Sequence, residues 1–276
     1  KYIVILFGKP KDPEEVIYQA MSCLEINQPK AAIVLFNQAL KADPKNIEAL
    51  YNKGLALNQI KKYQDAITSF EKVLEIKPDD APSLNNRAIA LGELGNTEDA
   101  LKYYDRAIES DSEYSAAYYN KGVLYDKLGK QEDSLRCLDE AIAIDPKNSS
   151  SHFYRGIVLG KLKRHEEALN CFSDICDSYP RHMDALFHKG IEIAELGKHK
   201  QAIEIFDKLL TEHKNNVNVI YAKSRSKAAL GEIDQSLYLL KQAISQNPKV
   251  IKKWAKHESV FEKIQDDKRF KKIIGH

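Results

Sequence analysis

Three asparagines, Asn52, Asn86 and Asn120, recur at intervals of 34 residues. A carboxamide carries both a donor and an acceptor, so a row at fixed pitch can hydrogen-bond an extended peptide's backbone whatever its sequence. Apolar neighbours would then hold the peptide's side chains. That chemistry is recognition. Catalytic signatures are missing: there is no Gly-rich phosphate loop, HExxH or GxSxG, and no carboxylate pair set apart from solvated faces. His152, His182 and His188 lie close enough in the chain to raise a metal site, against the plainer reading of one packing histidine and two solvent-facing ones. His165 and His199 share one repeat position and read as surface or packing residues. No cofactor or metal is expected.

The spacing of the asparagines belongs to a period that runs through nearly the whole chain. Ala20, Gly54, Ala88, Gly122, Gly156, Gly190 and Ser224 form a small series, and Ala32, Ala66, Ala100, Ser134, Ala168, Ala202 and Ser236 form a second. A large series follows at Phe36, Phe70, Tyr104, Leu138, Phe172, Phe206 and Leu240, and a proline-rich one at Pro44, Pro78, Ser112, Pro146, Pro180, Lys214 and Pro248. A repeat of this length predicts a stacked, quasi-one-dimensional solenoid. In residues 47–80, Leu50, Gly54 and Leu57 make one helical stripe, and Ala66, Ile67, Phe70, Val73 and Leu74 make another. Lys61–Lys62 and the equivalent Gly95, Gly129, Gly197 and Gly231 mark the turn between them. Pro78 ends the second helix. Each unit is therefore expected to be a helix–turn–helix hairpin, with Gly54 facing the Ala66 region and Phe70 wedged between hairpins.

These residues resemble the tetratricopeptide repeat (TPR) family. The match covers seven units, 13–46, 47–80, 81–114, 115–148, 149–182, 183–216 and 217–250. The resemblance implies an all-α, right-handed superhelical solenoid whose first helices line a concave face. On that face it places Tyr51, Asn52 and Leu55; Asn85, Asn86 and Ile89; Tyr119, Asn120 and Val123; Phe153, Tyr154 and Ile157; Phe187, His188 and Ile191; and Tyr221 with Arg225. Tyr-Asn pairs are common there in the family, so the asparagine row is equally readable as inherited sequence with no ligand. Chaperone-binding members clamp a C-terminal carboxylate with lysine in the fifth place and asparagine in the ninth. Here the fifth place holds Ile17, Tyr51, Asn85, Tyr119, Phe153, Phe187 and Tyr221, and the ninth is never asparagine. Carboxylate-clamp chaperone binding is not expected.

Both ends of the array depart from the pattern. Residues 1–12 carry an apolar run, Tyr2–Phe7, and count backwards as the second-helix remnant of a preceding repeat, although Ile3, Val4 and Ile5 favour strand; with no initial Met, a fragment or processed product is expected. Residues 251–276 are expected to form capping helices, with Trp254 at the bulky position. Glu258 falls where a small residue belongs, which predicts that no second helix packs back there. This cap holds 8 basic and 4 acidic residues, and Lys223, Arg225 and Lys227 add charge nearby. That end reads either as a receiver for an acidic segment or as a solvated terminus.

With 42 basic against 40 acidic residues the net charge is +2, which leaves no one-sign field for nucleic acid. No stretch is long and apolar enough to span a bilayer, and Cys23, Cys137, Cys171 and Cys176 form no CxxC pair, so a cytoplasmic, reducing compartment is expected. The sequence thus points to a non-enzymatic protein-interaction scaffold that binds a partner peptide or helix. The alternative is the recruiting arm of a larger enzyme whose catalytic part lies outside this chain.

Overall fold

A computed structural model describes residues 12–275. The expectation for residues 1–12 lies outside the described residues, apart from Asp12, which caps the first helix. The fold is all-α, a solenoid of tandem helical hairpins, and it divides into two compact units, 1–147 and 148–276.

The first unit stacks four hairpins: α1 (Pro13–Glu25) with α2 (Pro29–Ala42), α3 (Ile47–Gln59) with α4 (Tyr63–Ile76), α5 (Ala81–Glu93) with α6 (Thr97–Ser110), and α7 (Ser115–Lys127) with α8 (Gln131–Ile144). The second stacks three: α9 (Ser149–Lys161) with α10 (His165–Ser178), α11 (Met183–Glu195) with α12 (His199–Glu212), and α13 (Val217–Ala229) with α14 (Ile233–Gln246). It is closed by α15 (Pro248–His257), a 3-10 helix (Ser259–Ile264) and α16 (Lys268–Ile274).

The two helices of a hairpin start differently. Asp12, Asn46, Asp80, Asn148, His182 and Asn216 cap first helices by accepting from backbone amides inside them. This satisfies donors that the helix itself cannot pair. Second helices have no side-chain cap, because the tight turn before them is closed by backbone alone. In the second hairpin Lys62 N reaches back to Leu57 O at 2.9 Å, and the residue between the helices is left-handed. Glycine takes that place at Gly95, Gly129, Gly197 and Gly231, while Asn27, Lys61 and Lys163 accept positive φ there.

Inside each hairpin the small series makes room for the large one. A Cβ on Gly54 would stand 2.5 Å from the Phe70 ring, and one on Gly156 would stand 2.7 Å from Phe172. The glycine thus receives the aromatic ring of its own hairpin, and its place also faces that of Ala66, as Gly122 with Ser134 and Ser224 with Ser236 show. Phe36, Phe70, Phe172 and Phe206 are fully buried as a result. Where both small series carry serine, Ser224 and Ser236 bond reciprocally, each hydroxyl donating to the other's carbonyl at 2.8 and 2.9 Å. A buried hydroxyl costs little once paired in this way.

The C-terminal end departs from the expected register. Four residues separate each earlier second helix from the next first helix, as 43–46 do, but only Asn247 separates α14 from α15. Asn247 ends one helix and caps the next, its side chain accepting from Val250 N. Helix α15 therefore begins at Pro248, three residues before the expected boundary. Ile251 and Ala255 take the buried bulky and small places, while Trp254 is 43% exposed. The prediction that no second helix packs back at Glu258 is overturned. Glu258 ends α15, after which the 3-10 helix packs on α13 and α16 packs on α14 and α15. Phe261, Ile264, Phe270 and Ile274 join Leu240, Ile244 and Ile251 in one core.

Candidate functional site

In the first unit the first helices α3, α5 and α7 carry the expected row. Asn52 and Asn86 turn their amides back along their own helices, donating to Glu48 O at 2.9 Å and Pro82 O at 2.8 Å. Asn86 also donates to the Tyr51 hydroxyl at 3.1 Å, and Asn120 donates to the Asn85 side-chain oxygen at 3.0 Å. Both inter-helix bonds link one hairpin to the previous hairpin across the same spacing. Each amide of the row thus makes at least one bond inside the fold, and Asn86 uses both of its donors. Asn85 is 2% exposed and Asn52 9%, so two residues expected on the open face are buried. Tyr51, Leu55, Asn86, Ile89, Tyr119, Asn120 and Val123 are half-buried. Tyr51 sits edge-on to Phe70 with centroids 5.9 Å apart, and burial above all pushes its hydroxyl up to about 12. These side chains pack with one edge to solvent.

The second unit carries a different surface on α9, α11, α13 and α15. Phe153, Tyr154, Ile157, Phe187, His188 and Ile191 are half-buried, whereas Tyr221 is buried at 6% exposure. Phe153 stacks on His182 at 5.6 Å and meets His188 edge-on at 5.5 Å, while His188 lies flat on Phe172 at 5.2 Å. Burial holds His188 below its ordinary pKa, so it behaves as a neutral aromatic. His182 spends Nδ1 as the acceptor that caps α11. The histidines therefore serve capping and ring packing, and among the described residues no group of three or more His, Cys, Asp or Glu could hold a metal ion.

Helices α11, α13 and α15 border an open cleft of about 520 Å³ in this unit. Its floor and walls are Phe187, Ile191, Tyr221, Ala222 and Trp254, with Asn218, Arg225, Lys253, His257 and Glu258 around them. Trp254 leans on Tyr221 with centroids 5.5 Å apart. Arg225 is fixed by two carboxylates, Glu195 at 2.9 Å and Glu258 at 2.9 Å. Glu258 also lies 3.5 Å from the Tyr221 hydroxyl, whose pKa is raised mainly by burial and then by that charge. The rim is rigid and the floor apolar. Lys227 pairs with Glu232 at 2.7 Å and Lys223 with Asp207, so the cations of α13 expected to await an acidic segment are already matched inside the fold.

Sequence reasoning missed Glu192. It is 5% exposed, its carboxylate lies 2.7 Å from His165 Nδ1, and Gly160 leaves room for it. Burial raises its pKa, with His165 pulling the other way. A signal was present: Glu192 is the one acid in the series Ser22, Ala56, Ala90, Leu124, Val158, Glu192 and Ser226. It also missed Lys253, His257 and the cleft placement of Trp254, because the register slip at Asn247 decides where they point.

Tetratricopeptide repeat models match residues 47–80, 85–149 and 137–170. Among solved structures, a TPR protein from Parabacteroides merdae ATCC 43184 is 24% identical over 87% of this chain and 96% of its own, with a TM-score of 0.64. YrrB, a TPR protein with an unusual peptide-binding site, is 25% identical over 68% of this chain and 98% of its own, with a TM-score of 0.57. PilW, a type IV pilus biogenesis factor, is 22% identical over 76% of this chain and 97% of its own, with a TM-score of 0.68. No curated protein sequence matches. Among the described residues no helix is long and apolar enough to cross a membrane. Repeat period, hairpin geometry and family models agree, and the chain belongs to the tetratricopeptide repeat family.

Proposed function

We propose that this protein is a non-enzymatic scaffold that holds an extended or helical segment of a partner protein on its first-helix face. Its main seat is the cleft between α11, α13 and α15. TPR repeats are protein-interaction modules, which supports the general reading. The cleft supports the specific one: five apolar side chains form a concave floor of about 520 Å³, beside a fixed Arg225. That is the size and make-up of a site for one anchoring side chain and its neighbours. Burying a Leu or Phe anchor there would supply about 1.5–3 kcal/mol. The structural neighbour YrrB, named for its peptide-binding site, shows that the fold supports such capture elsewhere. The asparagine row contributes through the stack, holding the first helices in line.

Trp254 is the only tryptophan of the chain and lines the cleft, so its emission reports occupancy. Peptides selected from a random library against the whole chain should shift that emission on binding. Ile191→Asp should weaken them at least about tenfold, the loss of one buried anchor contact of about 1.4 kcal/mol, with the circular dichroism unchanged. Binders that ignore both Trp254 and Ile191 would place the seat elsewhere.

A further inference from the structure

Helix α15 is strongly basic, as is the short α16 with Lys268, Arg269, Lys271 and Lys272. Helix α15 carries Lys249, Lys252, Lys253 and Lys256, ends in His257, and contains no acid. Those residues are spaced three and four apart, so they share one side of the helix, opposite the buried Ile251 and Ala255. Other cations near this end are balanced: Lys223 and Lys227 each meet a carboxylate, and on α16 Arg269 pairs with Asp234 and Asp267 and Lys271 with Asp266. Among the described residues no ion pair forms to any of the four lysines of α15. Neighbouring like charges on a helix repel, so the strip persists against its own electrostatics. The nearest carboxylate in the cleft, Glu258, is held by Arg225 and does not discharge it.

The strip also adjoins the apolar cleft. Lys253 and His257 line both that cleft and a second, shallower hollow of about 640 Å³ bordered by Lys249, Lys252 and Lys256. Trp254, exposed among the lysines, lines the first. We infer that α15 selects an acidic protein segment, seating its carboxylates on the lysine strip while an aromatic or aliphatic residue beside them enters the Phe187–Tyr221–Trp254 cleft. This deepens the proposed function and rests on its cleft. The spacing suits such a segment: side chains four apart on a helix repeat about every 6 Å. Same-side residues of an extended peptide repeat about every 6.6 Å. Carboxylates at alternate positions therefore meet Lys249, Lys253 and Lys256 in turn. A concave seat favours a peptide over a flat anionic bilayer, and the near-zero net charge of the chain disfavours nucleic acid.

The probes are a labelled peptide with the sequence Phe-Glu-Ser-Glu-Ser-Glu and its twin with Gln for each Glu. Both are measured by fluorescence anisotropy on the full chain at low salt. The glutamate peptide should bind about tenfold tighter, the product of three exposed ion pairs each worth about twofold. That ratio should collapse as salt screens it and vanish in the Lys249→Glu/Lys253→Glu/Lys256→Glu variant, whose altered side chains are all exposed. Equal affinity for the two peptides would overturn the charge selection and leave the cleft reading standing. Binding of neither would overturn both. Preference for phosphatidylserine vesicles or single-stranded DNA over the glutamate peptide would also overturn it, assigning the strip to another class of partner.

Discussion

The asparagine row supplies the sharpest test, because two roles for it predict opposite outcomes. If Asn86 ties α5 to α3, then Asn86→Ala should destabilise the first unit and leave peptide affinity nearly unchanged. The change removes bonds to the Tyr51 hydroxyl at 3.1 Å and to Pro82 O at 2.8 Å. At about 1 kcal/mol each, less about 0.5 kcal/mol returned by alanine's better helix propensity, the net loss is about 1.5 kcal/mol. Tyr51→Phe removes one of the same bonds from the other side. The two changes should therefore couple by about 0.5–1 kcal/mol in a double-mutant cycle. Trp254 lies in the other unit, so its fluorescence does not report this loss. Hydrogen exchange of the α3 and α5 amides in the full chain does. Additive effects, with coupling below about 0.3 kcal/mol, would refute the tie. So would unchanged exchange protection accompanied by a loss of peptide affinity, which would return the row to its role as a reader of partner backbone.

Two further outcomes follow from the hairpin interiors. Gly54→Ala should lower the melting temperature: its new Cβ would lie 2.5 Å from the fully buried Phe70 ring, and overpacking at about 1–3 kcal/mol outweighs a helix-propensity gain of about 1 kcal/mol. Gly92→Ala, whose Cβ would meet nothing closer than 3.7 Å, should instead raise it, and a matching fall at both sites would contradict this account. Glu192 governs a pH effect. Its folded pKa is raised above the ordinary 4.5, so as pH climbs through 4.5 the unfolded chain releases a proton that the folded chain keeps. Stability must fall over that window and level off above the folded value. Glu192→Gln should flatten this segment of the stability–pH profile, and an unchanged profile would show that the buried pair with His165 carries no such linkage.

The hairpins were legible because packing alone dictates the small and large series: a helix pair closes only where one side chain vanishes and another fills the space. Gly156 with Phe172 could be read from spacing, although spacing did not tell which small residue takes the ring. The asparagines show the limit. Periodicity places Asn52 and Asn86 on a face, but whether an amide points outward or bends to its own carbonyl is decided by one rotamer. Trp254 shows another. Counting 34 residues forward assumes a constant connector, and one shortened connector turns Trp254 out of the core and Ile251 into it. Glu192 was visible as an acid in an otherwise apolar or small series, and only the weight placed on exposed charges hid it.

The single-residue connector at Asn247 also works as punctuation. A regular connector presents each new hairpin in the same attitude as the last, so a stack built from it has no internal reason to stop. Removing three residues rotates the next helix out of step, and the chain after it folds back and closes the apolar end with Phe261 and Phe270. Residues 247–275 therefore cover the apolar side of α13 and α14. Joined to the second helix of a different array of this repeat, the same stretch should seal that array too, and it would bring the lysine strip with it.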